Sequence, residues 1–147
     1  MTARWSPLNS QAPAGYWSDE SGLAAPDGEL GTRVEGLRRA AAEACPGRCA
    51  ELISARVAQL LGTADVDELE QARAIRNWHG DASFDEAERT LLEIVEQFII
   101  DVHGVSDEQF ERLRLHHSDK ELMALLYHLA LEDGFTKLHA TMTEPGE

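Results

Sequence analysis

The chain has 147 residues and a mass of 16.2 kDa, a size that predicts one domain with a single hydrophobic core. Asp and Glu number 27 against 13 Lys and Arg, so the formal net charge is −14. Such a surface repels phosphate backbones and anionic lipids, which argues against general binding to nucleic acids or membrane surfaces. No apolar stretch approaches the roughly 18 to 20 residues of a membrane span, and the N-terminus has no continuous apolar signal region, so we expect a cytoplasmic protein.

Residues 1–30 differ in composition from the rest of the chain. They are rich in proline and glycine, and a few large hydrophobic residues occur among them, including Trp5, Tyr16, Trp17 and Leu23. Turn-forming residues at this density disfavour regular secondary structure. We therefore predict an extended or partly disordered N-terminal arm over residues 1–30 and a helical domain over residues 31–147.

From residue 31 onward, charged residues alternate with Leu, Ala, Val and Ile at helical spacing. The spacing predicts a first helix over 31–44, and a second that opens at Pro46 and ends at Gly62. Proline suits a first helical turn because that turn leaves its N–H groups unpaired, and glycine suits a C-terminal cap. A third helix is predicted over about 65–78. The apolar residues of the second helix share one side: Cys49, Leu52, Ile53, Val57 and Leu60.

Three later segments begin with the capping-box pattern, in which a serine and an acidic or amide residue three positions on satisfy each other's free backbone donors. The longest of these helices carries an apolar stripe that we expect to face the core. No alternating strand pattern bounded by turns occurs. The sequence therefore predicts an all-α fold, a compact bundle of about six helices. The three boxes are Ser83 with Glu86, Ser106 with Gln109 and Ser118 with Glu121, and the stripe is Leu91, Val95, Phe98, Ile99 and Val102.

Cys45 and Cys49 are the two cysteines of the chain, four residues apart. If Pro46 opens the second helix, Cys45 lies at or next to its N-cap and Cys49 lies one turn further on. The positive end of the helix dipole, with Arg48 in the same turn, would then stabilise a thiolate. A reversible dithiol is one interpretation of this spacing, and inert cysteines packed as small hydrophobic side chains are the other. The Cys-x3-Cys spacing disfavours a zinc site.

Among the six histidines, His103 attracts attention because it follows Glu96 by seven residues. On a continuous helix the two side chains share a flank of the apolar stripe, within about 20° of each other. That placement would hold a carboxylate and an imidazole at the edge of a pocket for proton transfer. Two solvated side chains explain the spacing equally simply. We expect the other histidines at the surface or at helix ends.

The order of the segments resembles the carboxymuconolactone decarboxylase family, in its alkylhydroperoxidase D-like branch. The resemblance covers about residues 30–142 and rests on LRRAAAEACPGRCAELISARVAQLLG, TADVDELEQARAI, FDEAERTLLEIVEQF and VSDEQFERLRLHHSDKELMALLYHLALEDGFTKL. It implies an all-helical subunit that assembles into trimers or hexamers. In the peroxidase branch it also implies a Cys-x-x-Cys dithiol, in which one thiolate attacks the peroxide and the other resolves the sulfenic acid while Glu and His relay protons.

The chain departs from that pattern at three points. Three residues separate Cys45 from Cys49 instead of two, and Ile53 stands where the relay histidine is expected. Glu35 is the nearest substitute for the upstream glutamate.

We predict a divergent, thiol-dependent hydroperoxide reductase that acts on a small molecule, with a protein thiol as reductant and without cofactor or metal. One alternative is a non-catalytic oligomeric or small-molecule-binding protein. The other is a carboxymuconolactone decarboxylase-like enzyme that transfers protons. The candidate catalytic residues are Cys45, Cys49, Glu35, Glu96 and His103.

Overall fold

Six α-helices and two short 3₁₀ turns make up the regular structure of residues 28–62 and 70–142, which the computed structural model describes. No strand occurs in those residues, and the predicted all-α bundle is confirmed. The 3₁₀ turns, Trp78–Gly80 and Val102–Gly104, lie on either side of the fourth helix. The helices are α1 (Gly28–Ala44), α2 (Cys49–Leu61), α3 (Glu70–Arg76), α4 (Glu86–Ile100), α5 (Asp107–Arg114) and α6 (Asp119–Met142).

Helix α2 lies at the centre of the bundle, packed along α4 on one side and α6 on the other, and α1 packs against α6. Its predicted apolar side forms the core: Leu52, Ile53 and Val57 have no exposed surface. Burial of each such side chain contributes about 1.5–3 kcal/mol. The amphipathic pattern of α2 is therefore confirmed.

Two ion pairs show the direction of the central helices. Arg48 binds Glu88 at the beginning of α2 and α4, and Arg56 binds Glu96 eight residues later on both helices. The two helices therefore run parallel. Since α1 ends at Ala44, just before α2 begins, both cysteines lie at the end of the bundle where α2 and α4 start.

The first two helices begin at positions other than those predicted. Helix α1 starts at Gly28, three residues inside the expected arm, and residues 1–27 of that arm lie outside the described residues. Helix α2 starts at Cys49 instead of Pro46, because Pro46 and Gly47 form a turn in which the Cys49 N–H donates to the Pro46 carbonyl. Gly47 adopts a φ of +53° there, which glycine tolerates without strain. The predicted stop at Gly62 is confirmed by its left-handed cap.

The capping boxes at Ser106 and Ser118 are confirmed by their reciprocal hydrogen bonds. The box predicted at Ser83 is wrong. Ser83 donates its N–H and its hydroxyl to the Asp81 carboxylate, and Asp85 caps α4 in a box with Glu88.

Helix α4 ends at Ile100, before the end of the predicted apolar stripe. Leu91 and Val95 are buried as expected, but Val102 lies in the following 3₁₀ turn and is exposed, so its assignment to the core is wrong. Helix α3 covers the later part of the predicted third helix, whose expected start at Asp65 lies outside the described residues. Within residues 28–62 and 70–142, none of the helices combines the length and apolarity that crossing a bilayer requires.

Candidate functional site

The two cysteines lie on either side of the turn between α1 and α2. Cys45 follows the last residue of α1, and its thiol donates to the Ala41 carbonyl at 3.3 Å. Cys49 is the first residue of α2. Both are free thiols and both are buried, with exposed fractions of 9% and 6%. The prediction that Cys45 sits at or next to the N-cap of α2 is therefore wrong, since Arg48, three residues later, occupies that position.

Burial raises the pKa of both thiols to about 11. The pKa of Cys49 is raised further by the charges of nearby groups, namely Cys45, Glu88, Asp85 and Glu121. A thiolate at this position would lose its hydration and face carboxylates from the first turns of α4 and α6. The expected stabilisation of a thiolate is therefore wrong in direction.

Arg48, the cation expected beside the thiols, is bound elsewhere. Its Nε and Nη2 donate to the two carboxylate oxygens of Glu88 at 2.5 and 3.1 Å, and Nη2 also donates to the Ser83 carbonyl. The guanidinium lies over the Phe84 ring, 5.2 Å from its centroid. The hydrogen bond from Arg48 lowers the pKa of Glu88, so this cation stabilises a carboxylate instead of a thiolate.

Glu96 and His103 are not brought together as predicted. His103 lies in the exposed 3₁₀ turn beyond α4, where the helical angle used to place it no longer applies. The Glu96 carboxylate accepts hydrogen bonds from Arg56 at 2.5 Å and from the Trp78 indole at 2.7 Å. Glu96 thus joins α2, α4 and the 3₁₀ turn at Trp78.

Glu35, the remaining candidate, lies on α1. It pairs with Arg39 one turn later, at 2.6 Å. This i, i+4 pair is typical of a solvent-facing helix surface.

Arg38, His128 and Glu132 form a buried polar cluster between α1, α2 and α6, which was not predicted from the sequence. Arg38 and Glu132 form an ion pair of 2.9 Å with side chains only 5% and 9% exposed. The Arg38 guanidinium also lies 4.6 Å from the centroid of the Phe135 ring. His128, which we expected at the surface or a helix end, is 2% exposed. The one sequence signal was the i, i+4 spacing of His128 and Glu132 on the inner face of α6.

His128 joins α6 to α2 through its Nε2 atom. That nitrogen lies 3.2 Å from the Ala50 carbonyl and 2.9 Å from the Ser54 hydroxyl. Because a carbonyl only accepts, Nε2 carries the hydrogen and Nδ1 keeps its lone pair. Burial lowers the pKa of His128, which keeps the ring neutral at pH 7.

A surface cleft of about 750 Å³ lies between the start of α2, helix α3 and the segment before α4. Its volume falls within the range of small-molecule sites, which is about 300–1,000 Å³. We call it the Arg48 cleft. Within residues 28–62 and 70–142, its lining residues are Arg48, Gln71, Arg73, Ala74, Asn77, Asp81, Ser83 and Phe84.

The fold is similar to a solved structure of the AhpD type. That crystal structure is of a protein of unknown function from Agrobacterium tumefaciens, named as a candidate antioxidant defence protein AhpD. The likeness has a TM-score of 0.69 and 23% sequence identity, and it covers 88% of this chain and 98% of that chain. The chain therefore has an AhpD-like all-α fold, as the resemblance implies, and the likeness shows the fold alone. No protein-family model matches the sequence, and no curated protein matches it.

Proposed function

We propose that the chain is a small-molecule-binding protein with an AhpD-like fold, in which Cys45 and Cys49 are core residues and not a redox dithiol. One observation carries the assignment of the cysteines to the core: both thiols are more than nine-tenths buried, and burial raises the pKa of each to about 11. The Arg48 cleft, of about 750 Å³, supports the binding of a small molecule. The thiolate is the form that attacks a peroxide. At pH 7, a thiol with that pKa is ionised in about one molecule in 10⁴, against a few per cent for an ordinary cysteine.

The surroundings of the cysteines support the same conclusion. Arg48 neutralises Glu88, and Ile53, at the position of the family's relay histidine, has no exposed surface. Glu96 is bound by Arg56 and Trp78. The proton-transfer alternative is weakened too, because it needs Glu96 and His103 side by side.

The decisive experiment counts thiols after mild treatment with hydrogen peroxide. We expect two free thiols per chain on subsequent unfolding, and no Cys45–Cys49 disulfide by mass spectrometry. A variant with both Cys45→Ser and Cys49→Ser should keep the assembly state of the parent chain. Rapid formation of the intramolecular disulfide in the folded protein would overturn the proposal.

A hydroperoxide reductase is the second candidate, favoured by the closeness of the two free thiols at one turn. One thiolate would attack the peroxide oxygen, releasing an alcohol and leaving a sulfenic acid. The second thiol would then form the disulfide and release water, so the thiol pair loses two electrons that a protein dithiol must restore. Under this candidate, peroxide consumption is lost in Cys45→Ser and in Cys49→Ser.

We also propose that the chain forms a homo-oligomer through α1 and α6. Leu30 and Leu37 on α1 are 61% and 55% exposed, and Tyr127 and Met123 on α6 are 60% and 49% exposed. Apolar surface at helical spacing on two packed helices favours burial against another subunit. Light scattering should give the mass of a trimer or hexamer, and Leu37→Glu should reduce that mass. The matched control is Leu115→Glu, which changes an exposed leucine at the C-cap of α5 and should leave the mass unchanged. A monomeric parent chain would contradict this proposal.

A further inference from the structure

We propose that helix α1 detaches from α6 when His128 takes up a proton, because that proton weakens the Arg38–Glu132 ion pair, and that this opening exposes the Cys45 thiol. The inference goes beyond the proposed function and does not rest on it. It makes no use of the Arg48 cleft.

Helix α1 is attached to the bundle by few apolar side chains. Of its 17 residues only Arg38 and Ala41 are buried, and Leu30 and Leu37 are 61% and 55% exposed. The helix packs mainly on α6, whereas α2 packs along both α4 and α6. Because one of the two buried side chains is an arginine, its ion pair with Glu132 provides a large share of the attachment. Weakening this pair should therefore open α1 before the core of the bundle opens.

His128 lies where a proton would weaken the ion pair. It is 2% exposed, and Glu132 follows it one turn later on α6. The charged groups that face it are Glu132 and, from α1, Arg38. Helix α2 presents the neutral Ser54 hydroxyl and Ala50 carbonyl. The buried Nδ1 has no hydrogen-bond partner among the described residues, so it can take up a proton. The imidazolium would then compete with Arg38 for the Glu132 carboxylate.

Detachment of α1 raises the affinity of His128 for a proton. In the closed state, burial lowers the pKa of His128, and the charge of Arg38 lowers it too, against the opposing charge of Glu132. When α1 leaves, water reaches the ring and Arg38 moves away, so the pKa returns toward its ordinary value of about 6.5. The open state therefore gains in population as the pH falls below about 6.5.

Detachment also removes the cover of Cys45. The Cys45 thiol donates to the Ala41 carbonyl of α1 at 3.3 Å. A free helix of 17 residues that contains Gly31 and Gly36 is unstable in water, so α1 unwinds when it detaches. Unwinding breaks this hydrogen bond and exposes Cys45, whereas Cys49 begins α2 and stays in the core. The two thiols are thus a matched pair within one chain.

The test measures amide hydrogen exchange of the full chain at pH 7.5 and 5.5. Each rate is divided by the rate of an unfolded peptide at the same pH, and light scattering confirms one assembly state throughout. Residues 38–44 should exchange at least about tenfold faster than the amides of α2 and α4, which need the whole bundle to open. Their exchange should rise by about three- to tenfold at pH 5.5, and about tenfold is the limit for one imidazole.

Two histidines provide a matched pair of variants. His128 is buried beside the ion pair, and His103 is exposed in the 3₁₀ turn beyond α4. His128→Gln should reduce the pH response of residues 38–44 to less than about twofold, and His103→Gln should leave that response as in the parent chain.

Two glutamates test the ion pair in the same way. Glu132→Gln removes the charge that holds Arg38, and should raise the exchange of residues 38–44 at pH 7.5 by at least about tenfold. Glu29→Gln, at an exposed ion pair of α1, should change it by less than about twofold.

Thiol labelling with N-ethylmaleimide tests the exposure of Cys45. Each labelling rate is divided by that of the urea-unfolded chain at the same pH, and mass spectrometry of the digested chain separates the two cysteines. Cys45 should be at least about tenfold less protected than Cys49, and its protection should fall by about three- to tenfold between pH 7.5 and 5.5.

Equal exchange of α1 and α2 would show that the bundle opens only as a whole, and would overturn the inference. A full pH response in His128→Gln would remove the role of the imidazole, and an unchanged rate in Glu132→Gln would remove that of the ion pair. Equal protection of the two thiols would refute the exposure of Cys45.

Discussion

Loss of the Glu132 carboxylate should destabilise the protein more than any surface substitution. In Glu132→Leu, the Arg38 guanidinium keeps its position at 5% exposure and loses the counter-charge 2.9 Å away. Removing one partner of a buried ion pair costs about 3–5 kcal/mol. For a chain of this size, that corresponds to a fall in Tm of about 6–20 °C.

The reverse substitution, Arg38→Leu, should cost less. A buried carboxylate can bind a proton and become neutral, whereas a guanidinium cannot release one. Replacing both residues by leucine removes both charges. The resulting loss in the free energy of unfolding should be smaller than the sum of the two single losses, and the difference should exceed about 2 kcal/mol. Urea unfolding of the four chains gives this coupling energy directly.

An exposed ion pair on α1, the helix that carries Arg38, provides the control. Glu29 and Arg33 lie 2.6 Å apart on α1 with side chains 77% and 76% exposed. Glu29→Ala should change the free energy of unfolding by less than about 0.5 kcal/mol, because water already solvates both charges. If Glu132→Leu cost no more than Glu29→Ala, or if the two leucine substitutions were additive, the claim that this ion pair is desolvated would be refuted.

Three further predictions concern the folded state. Burial lowers the pKa of His128, so the unfolded chain takes up the proton first as the pH falls below about 6.5, and the parent chain loses stability. His128→Gln should therefore reduce the loss of stability between pH 7.5 and 5.5. Urea unfolding at the two pH values measures this loss, and an equal loss in the variant would contradict the prediction. Asp85→Ala removes the N-cap of α4 and should lower the free energy of unfolding by about 1 kcal/mol. Ser83→Ala should lower it by less in the same thermal melts, and the reverse order would contradict the cap at Asp85. Leu92→Ala should cost about 2–5 kcal/mol, since Leu92 has no exposed surface, and a loss below 1 kcal/mol would show that the core closes around the site.

The sequence predicts the helices well because the apolar spacing is local. The stretch after Ser83 shows why a helix start is harder to place. Ser83 with Glu86 and Asp85 with Glu88 both fit the capping-box pattern, only two residues apart. Asp81 binds Ser83, and Arg48 binds Glu88 from 40 residues away, and together these contacts select the second box. The deciding contact comes from another helix and leaves no signal near α4.

The candidate site was less predictable because its residues depend on partners distant in sequence. Arg56 comes from α2 and Trp78 from a 3₁₀ turn, and both converge on Glu96, which the helical angle had paired with His103. The burial of His128 likewise follows from the packing of α6 on α2. Periodicity shows which face of a helix turns inward, but it does not show which polar group of another helix that face meets.

The acidic groups that start α4 and α6 act on both the fold and the ionisation of the Cys49 thiol. Asp85, Glu88 and Glu121 pair with backbone N–H groups in capping boxes, which stabilises the two helices. The same three charges oppose a thiolate at Cys49. Raising the pKa of that thiol from 9.0 to about 11 corresponds to about 3 kcal/mol, which exceeds the roughly 0.3–1 kcal/mol by which a helix N-terminus typically stabilises an anion. Desolvation and capping thus outweigh the dipole of α2, and a cysteine pair that suggests redox chemistry in sequence becomes part of the core in the fold.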